Sequence, residues 1–257
     1  MIKRWMSALL CVGMLFGILI PGVSAEASED EFVFPEFSDT YVLCEPLRGD
    51  MTITEYAELY SYRGRDYLLV PAKGGKLYVF NLSDYLEGGT DENWIYDQED
   101  TGINIPRCIV EDSTGKFYIC GGANHLYVYD FKTESGYNLN LPTNRGSVSN
   151  LAIDEEDNLY VTLASDAPTL PGRVLKVDTR NGNKVSVLFE SMEIDGSGTG
   201  AIAYGDGHIY FTGTIRNAMQ GIYLYKVDSV TGEEKGRITY SNTKFLLYMS
   251  YIDGVVF

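Results

Sequence analysis

The stretch Arg173-Val-Leu-Lys-Val-Asp178 decides the fold, because the chain writes it four times. Its counterparts are Lys76-Leu-Tyr-Val-Phe-Asn81, His125-Leu-Tyr-Val-Tyr-Asp130 and Tyr223-Leu-Tyr-Lys-Val-Asp228. Each is a short apolar run closed by an Asp or Asn. The closing residues lie at 81, 130, 178 and 228, so the steps are 49, 48 and 50 residues. A fixed period in this range marks a chain built from repeated supersecondary units.

Working outward from Asp178 gives the content of one unit. Ser149-Asn-Leu-Ala-Ile153 is one apolar run, Asp154 to Asp157 a turn, and Asn158-Leu-Tyr-Val-Thr162 a second run. Arg173 to Val177 is the third, and Lys184-Val-Ser-Val-Leu-Phe189 alternates in part, as a half-exposed edge strand does. The second unit repeats this through Cys108 to Glu111, Lys116 to Cys120 and His125 to Tyr129. The fourth runs through Gly200 to Ala203, His208 to Phe211 and Gly221 to Val227. The first, beginning Ala57-Glu-Leu-Tyr-Ser61, is weaker. Four strand signals per repeat, no helical pattern of useful length, and 20 Tyr with 11 Phe to fill stacked sheets predict an all-β chain. The expected architecture is a β-propeller of ~49-residue four-stranded blades, four complete plus a truncated fifth.

At these residues the chain resembles known families. Asp112-Ser-Thr-Gly-Lys-Phe-Tyr-Ile119 and Asp154-Glu-Glu-Asp-Asn-Leu-Tyr-Val161 are similar to the Asp-x-x-Gly-Asn-Leu-Tyr-Val element of NHL, gluconolactonase-like and streptogramin-lyase-like propellers. Asp178-Thr-Arg-Asn-Gly182 and Asp228-Ser-Val-Thr-Gly232 resemble the Asp-x-x-Thr-Gly turn of quinoprotein-type repeats. The resemblance spans about residues 55–257 and implies the fold much more than a function. Asp157 stands where the family usually has Gly. No quinoprotein cofactor site can be carried over with the turn.

The two ends carry their own expectations. Lys3 and Arg4, the apolar run Ala8 to Ile20, the break at Pro21-Gly22 and the small residues Val23-Ser-Ala25 read as an export signal over residues 1–25. The run is shorter than the ~20 residues a membrane span needs, so no membrane insertion is expected after cleavage. Residues 26–54 read as an acidic linker with short strand segments, and 55–257 as the propeller. Asp253-Gly-Val-Val-Phe257 matches Asp206-Gly-His-Ile-Tyr-Phe211 with one residue fewer. A unit that stops inside its second strand predicts a fragment of a larger propeller.

Charge bounds the partners. The formal net charge is −16, and removing Lys3 and Arg4 with the signal makes it −18. Such a surface repels nucleic acid. Acidic oxygens can hold hard cations, but no ligand pattern for a metal stands out, and no cofactor is expected.

Aligning Tyr67, Tyr118, Tyr160 and Tyr210 and counting back eleven gives Tyr56, Arg107, Ser149 and Thr199, with Asn150 one residue on. Arg107, Ser149, Asn150 and Thr199 are the candidates to line the mouth of a central channel. A lyase or lactonase of the resembling families needs convergent acids, Asn or His there, and only Asn150 fits. His125 and His208 begin different strands of their units and share no zinc spacing. No catalytic residue is identified. If Ser113-Thr-Gly115 is a three-residue hairpin loop, Cys108 faces Cys120, as a disulfide or as two packed thiols. Two readings follow: a secreted noncatalytic scaffold for a protein or carbohydrate ligand, or a secreted lyase or hydrolase completed by further blades.

Overall fold

The first ladder joins β1 (Glu58–Tyr62), β2 (Arg65–Ala72), β3 (Lys76–Asn81) and β4 (Ile95–Asp100) in chain order. The second joins β5 (Pro106–Glu111), β6 (Lys116–Gly121), β7 (His125–Asp130) and β8 (Ser135–Asn140) in the same way. Both are antiparallel meanders. The computed structural model describes residues 56–87, 95–142, 146–165, 170–217, 221–241 and 249–257. The expected signal over 1–25 and the linker over 26–54 lie outside them. Residues Thr52–Phe257 form one compact unit.

The third and fourth units share a strand. β9 (Gly146–Ile153), β10 (Asn158–Ser165) and β11 (Pro171–Asp178) pair in order with the first part of β12 (Lys184–Gly205). The last part of β12 pairs with β13 (His208–Ile215), and β14 (Ile222–Asp228) and β15 (Glu234–Tyr240) follow. β12 is therefore the outer strand of unit 3 and the inner strand of unit 4. The sequence reading expected two separate strands here. Ile194 explains the continuity: it is fully buried, and its Cγ2 fills the space left by Gly172 of β11 and Gly213 of β13.

The fifth unit contributes a two-stranded antiparallel ladder, β16 (Tyr251–Ile252) with β17 (Val255–Val256). It docks as the fourth unit docks on the third. Tyr204 stacks on Tyr160 at 5.9 Å, and Tyr251 stacks on Tyr210 at 5.5 Å. Lys176 lies over Tyr160 and Lys226 over Tyr210, repeating the same cation–π contact.

Alternation along each strand builds the core between units. In β6, Phe117 and Ile119 join Tyr67, Leu69 and Val79 of unit 1, while Tyr118 and Cys120 join Leu151, Val161 and Leu175 of unit 3. A third cluster holds Tyr160 and Val174 of unit 3 against Ile209, Phe211 and Tyr225 of unit 4. Outer strands β8 and β15 are exposed along most or all of their length.

The turn chemistry accounts for the repeat. Asp130 accepts from Lys132 N at 3.0 Å, Asp178 from Asn181 N at 3.0 Å, and Asp228 from Thr231 N at 2.8 Å. These are Asx turns that reverse the third strand into the fourth. In units 2 to 4 the Asp lies opposite the first residue of the second strand: Lys116, Asn158 and His208. Asn81 departs from this register. It lies opposite Tyr67, two residues further in, and its Oδ1 accepts from Asp84 N to start α1 (Leu82–Leu86).

Candidate functional site

The inner strands of units 2 and 3 carry the same irregularity. Pro106 pairs with Gly121 and Cys108 with Cys120, which leaves Arg107 as the extra residue. Val148 pairs with Leu163 and Asn150 with Thr162, which leaves Ser149 as the extra residue. Each is a β-bulge, a device that re-aims a side chain at a strand end. Arg107 and Ser149 thus occupy one equivalent position, as the sequence alignment expects. Arg107 is exposed, while Ser149 and Asn150 are each 8% exposed.

Thr199 does not belong to that set. It pairs with Gly213, which makes it the counterpart of Pro106 and Val148. The residue matching Arg107 and Ser149 is Gly200. The cause is turn length. In units 2 and 3 the inner hairpin spans three residues, with Asp112 N bonded to Lys116 O and Asp154 N to Asn158 O. In unit 4 Gly205 pairs with His208 across only Asp206 and Gly207. Counting a fixed eleven residues therefore lands one position early.

The same correction changes unit 1. Tyr62 pairs with Arg65 across a two-residue turn, and Glu58 pairs with Leu69. Glu58 is then the counterpart of Cys108 and Asn150, where the count of eleven led to Tyr56 and Ala57. An acid does stand in the inner-strand series. Burial, and secondarily the negative charge of Glu111, push the Glu58 carboxyl from its usual 4.5 up to about 7. By register, Glu58 shares the face of β1 that carries Tyr60 toward unit 2.

Several polar groups of this region are engaged in joining neighbouring units. Thr162 Oγ1 donates to Gly200 O at 2.9 Å, across from unit 3 to unit 4. Thr199 Oγ1 donates to Leu163 O. Asn150 Oδ1 accepts from Leu151 N at 3.0 Å. Cys108 Sγ lies 3.6 Å from Leu151 O of the next inner strand. The structure places Arg107 and Ser149 at equivalent bulges on the inner strands of successive blades, and it does not gather the four candidates into one constellation.

The thiols sit as the hairpin argument requires. Cys108 and Cys120 are direct cross-strand partners, and both are free and buried. Burial, then the contact with Cys108, pushes the Cys120 thiol well above its ordinary value. His125 begins β7 and His208 begins β13, in unrelated positions of their units. His208 Nδ1 lies 2.7 Å from Asp206 O, a local turn contact. Among the described residues no three His, Cys, Asp or Glu gather as metal ligands, and no helix is long and apolar enough to cross a membrane.

Comparison with known proteins adds the fold. The Dos1 propeller superposes with a TM-score of 0.54 at 11% identity, over 76% of this chain and 50% of that one. The Cps50 (Swd1) β-propeller domain of Myceliophteria thermophila gives 0.53 at 11% identity, over 77% and 62%. The fold is that of a β-propeller. The chain spans about half to three-fifths of the length of these propellers. No protein-family model matches the sequence, and no curated protein matches it. Its repeats are blades in the sense the sequence predicts, with no particular propeller subfamily attached.

Proposed function

We propose that this propeller is a secreted, noncatalytic scaffold that binds an extracytoplasmic partner at the bulged ends of its inner strands. Arg107 carries the reading. It is an exposed guanidinium on a bulge, in a chain whose formal net charge is −16. In the third and fourth blades the polar side chains Asn150, Thr162 and Thr199 are hydrogen-bonded to backbone groups, three of these bonds crossing strands or blades. Polar groups committed to a backbone hold the inner strands in shape, and an exposed Arg on a strand-end bulge is the type of side chain that anchors a protein or sugar carboxylate. Export rests on the segment ending at Ala25, with Glu26 as the mature N-terminus, and intact mass of secreted material tests it.

The binding reading is tested with labelled protein on a glycan array and on a displayed library of extracytoplasmic proteins, beside Arg107→Glu. Ligands retained without a change of mass and lost in the variant support the scaffold. A ligand cleaved during incubation, or one indifferent to Arg107→Glu, contradicts it. The two screens separate a sugar from a protein partner.

A further inference from the structure

The Cys108–Cys120 pair has a geometry that the binding surface does not use. The two residues face each other across the first hairpin of the second blade. Antiparallel partners have Cα atoms about 4.5–5.5 Å apart, inside the ~4.4–6.8 Å window of a disulfide. Both side chains point toward the third blade, into the cluster with Val148, Leu151 and Leu163. Cys108 is 6% exposed and Cys120 is not exposed at all.

We propose that the redox state of this pair is set during folding and then held by the closure of the third blade. The hairpin β5–β6 alone aligns the two sulfurs and leaves both open to solvent. Once β9 and β10 pack over them, Cys108 Sγ rests 3.6 Å from Leu151 O, Cys120 is fully enclosed and Cys108 keeps 6% of its surface exposed. Thiol–disulfide exchange needs a thiolate and access to it, and burial opposes both.

The chemistry requires a low-molecular-weight disulfide such as oxidised glutathione. One cysteine thiolate attacks a sulfur of that disulfide, forming a mixed disulfide and releasing one glutathione thiolate. The second cysteine thiolate attacks the protein sulfur, forms the Cys108–Cys120 bond and releases the other. Two thiol protons are lost and taken up by the two departing thiolates. Blade closure before exchange traps the dithiol, and closure after it traps the disulfide. One chain thereby gives two long-lived forms without a change of fold.

The test uses the full chain in two arms. In one, reduced protein unfolded in guanidinium is refolded into a mixture of oxidised and reduced glutathione. In the other, reduced protein kept folded throughout meets the same mixture for the same time. Far-UV circular dichroism checks that both arms hold folded protein, and free thiols are then alkylated. Trypsin separates the two cysteines, because Cys108 lies in peptide 108–116 and Cys120 in peptide 117–132. The linked pair of these peptides should be at least about ten-fold more abundant in the refolded arm. Equal abundance in both arms overturns the proposal, as does absence of the linked pair from both. Linkage mainly to Cys44 or Cys11 in the refolded arm also overturns it.

Discussion

The carboxylate of Asp157 accepts two hydrogen bonds from Ser113, one from the backbone N at 2.8 Å and one from Oγ at 2.6 Å. The two residues sit in the inner hairpin turns of successive blades, 44 positions apart. Arg180 completes the site through Nε at 3.0 Å and Nη2 at 2.8 Å. Asp157 is only 3% exposed and holds a φ of 64°, the left-handed conformation for which glycine is ordinarily chosen. The repeat gives up the easy turn residue at this place and gains a bolt between blades 2 and 3. Burial pushes the Asp157 carboxyl up, and the Ser113 and Arg180 bonds outweigh it, leaving the group below its ordinary 3.8.

Asp157→Gly keeps the backbone conformation and removes the bolt. It should cost about 2–4 kcal/mol, because Ser113 and Arg180 lose a buried charged acceptor. The carboxylate's contribution is complete above the ordinary carboxylate range and fades as pH falls through its lowered value. Urea unfolding of the two proteins should therefore converge toward low pH. A glycine variant as stable as the parent at neutral pH would refute the bolt.

Gly213→Ala tests the shared strand. A Cβ there would lie 2.6 Å from Ile194 Cγ2, inside the closest approach of two carbons. The substitution should destabilise by about 1–3 kcal/mol through overpacking. Adding Ile194→Ala should recover part of that loss, so the double variant is less destabilised than the sum of the two single ones. Strict additivity in thermal unfolding would show that the two sites do not touch.

Glu58 gives stability a second pH dependence, of opposite sign. Its folded value of about 7 lies above the usual 4.5, so the folded chain binds the proton more tightly than the unfolded one. Stability contributed by the neutral acid is complete at pH 4.5 and lost as pH rises through 7. Half-burial leaves this at roughly 1–2 kcal/mol. Glu58→Gln should raise the melting temperature at pH 8 and change it little at pH 4.5. Equal effects at both pH values would exclude an ionisation.

Tyr118→Phe and Tyr160→Phe should behave as a matched pair. Tyr118 Oη donates to Asp112 at 2.9 Å, and Tyr160 Oη to Asp154 at 2.8 Å, six residues back in each case. Each variant should lose about 1–2 kcal/mol. If Tyr118→Phe alone is costly, the two turns are not equivalent and the motif is coincidental.

Those two bonds also explain what the sequence could reveal. The Asp and the Tyr of each motif are chemically linked, and the period of the repeat follows from Asx turns whose donors lie two or three residues away. Local chemistry of that kind is visible in a string of residues. Hairpin loop length is visible too, in Gly205-Asp-Gly-His208 against Asp112-Ser-Thr-Gly-Lys116. A fixed count of eleven ignored it, which misplaced Thr199 by one residue and passed over Glu58. The continuity of β12 was not legible, because Asp195 to Gly198 reads as a loop. Only the packing of Ile194 against two distant glycines shows why the strand runs on. The bolt at Asp157 depends on a contact 44 residues away and likewise left only an unexplained departure from a motif.

Native-state hydrogen exchange, read residue by residue, tests the propeller account most directly. Protection should rise and fall with the repeat. It should peak in β6, β10 and β13, each paired on both sides with a neighbouring strand, and collapse in the exposed strands β8 and β15. The maxima should recur at the 42- and 50-residue steps that separate Tyr118, Tyr160 and Tyr210. A single protection gradient along the chain, with β8 and β15 as slow as β6 and β13, would contradict a fold built from radial blades.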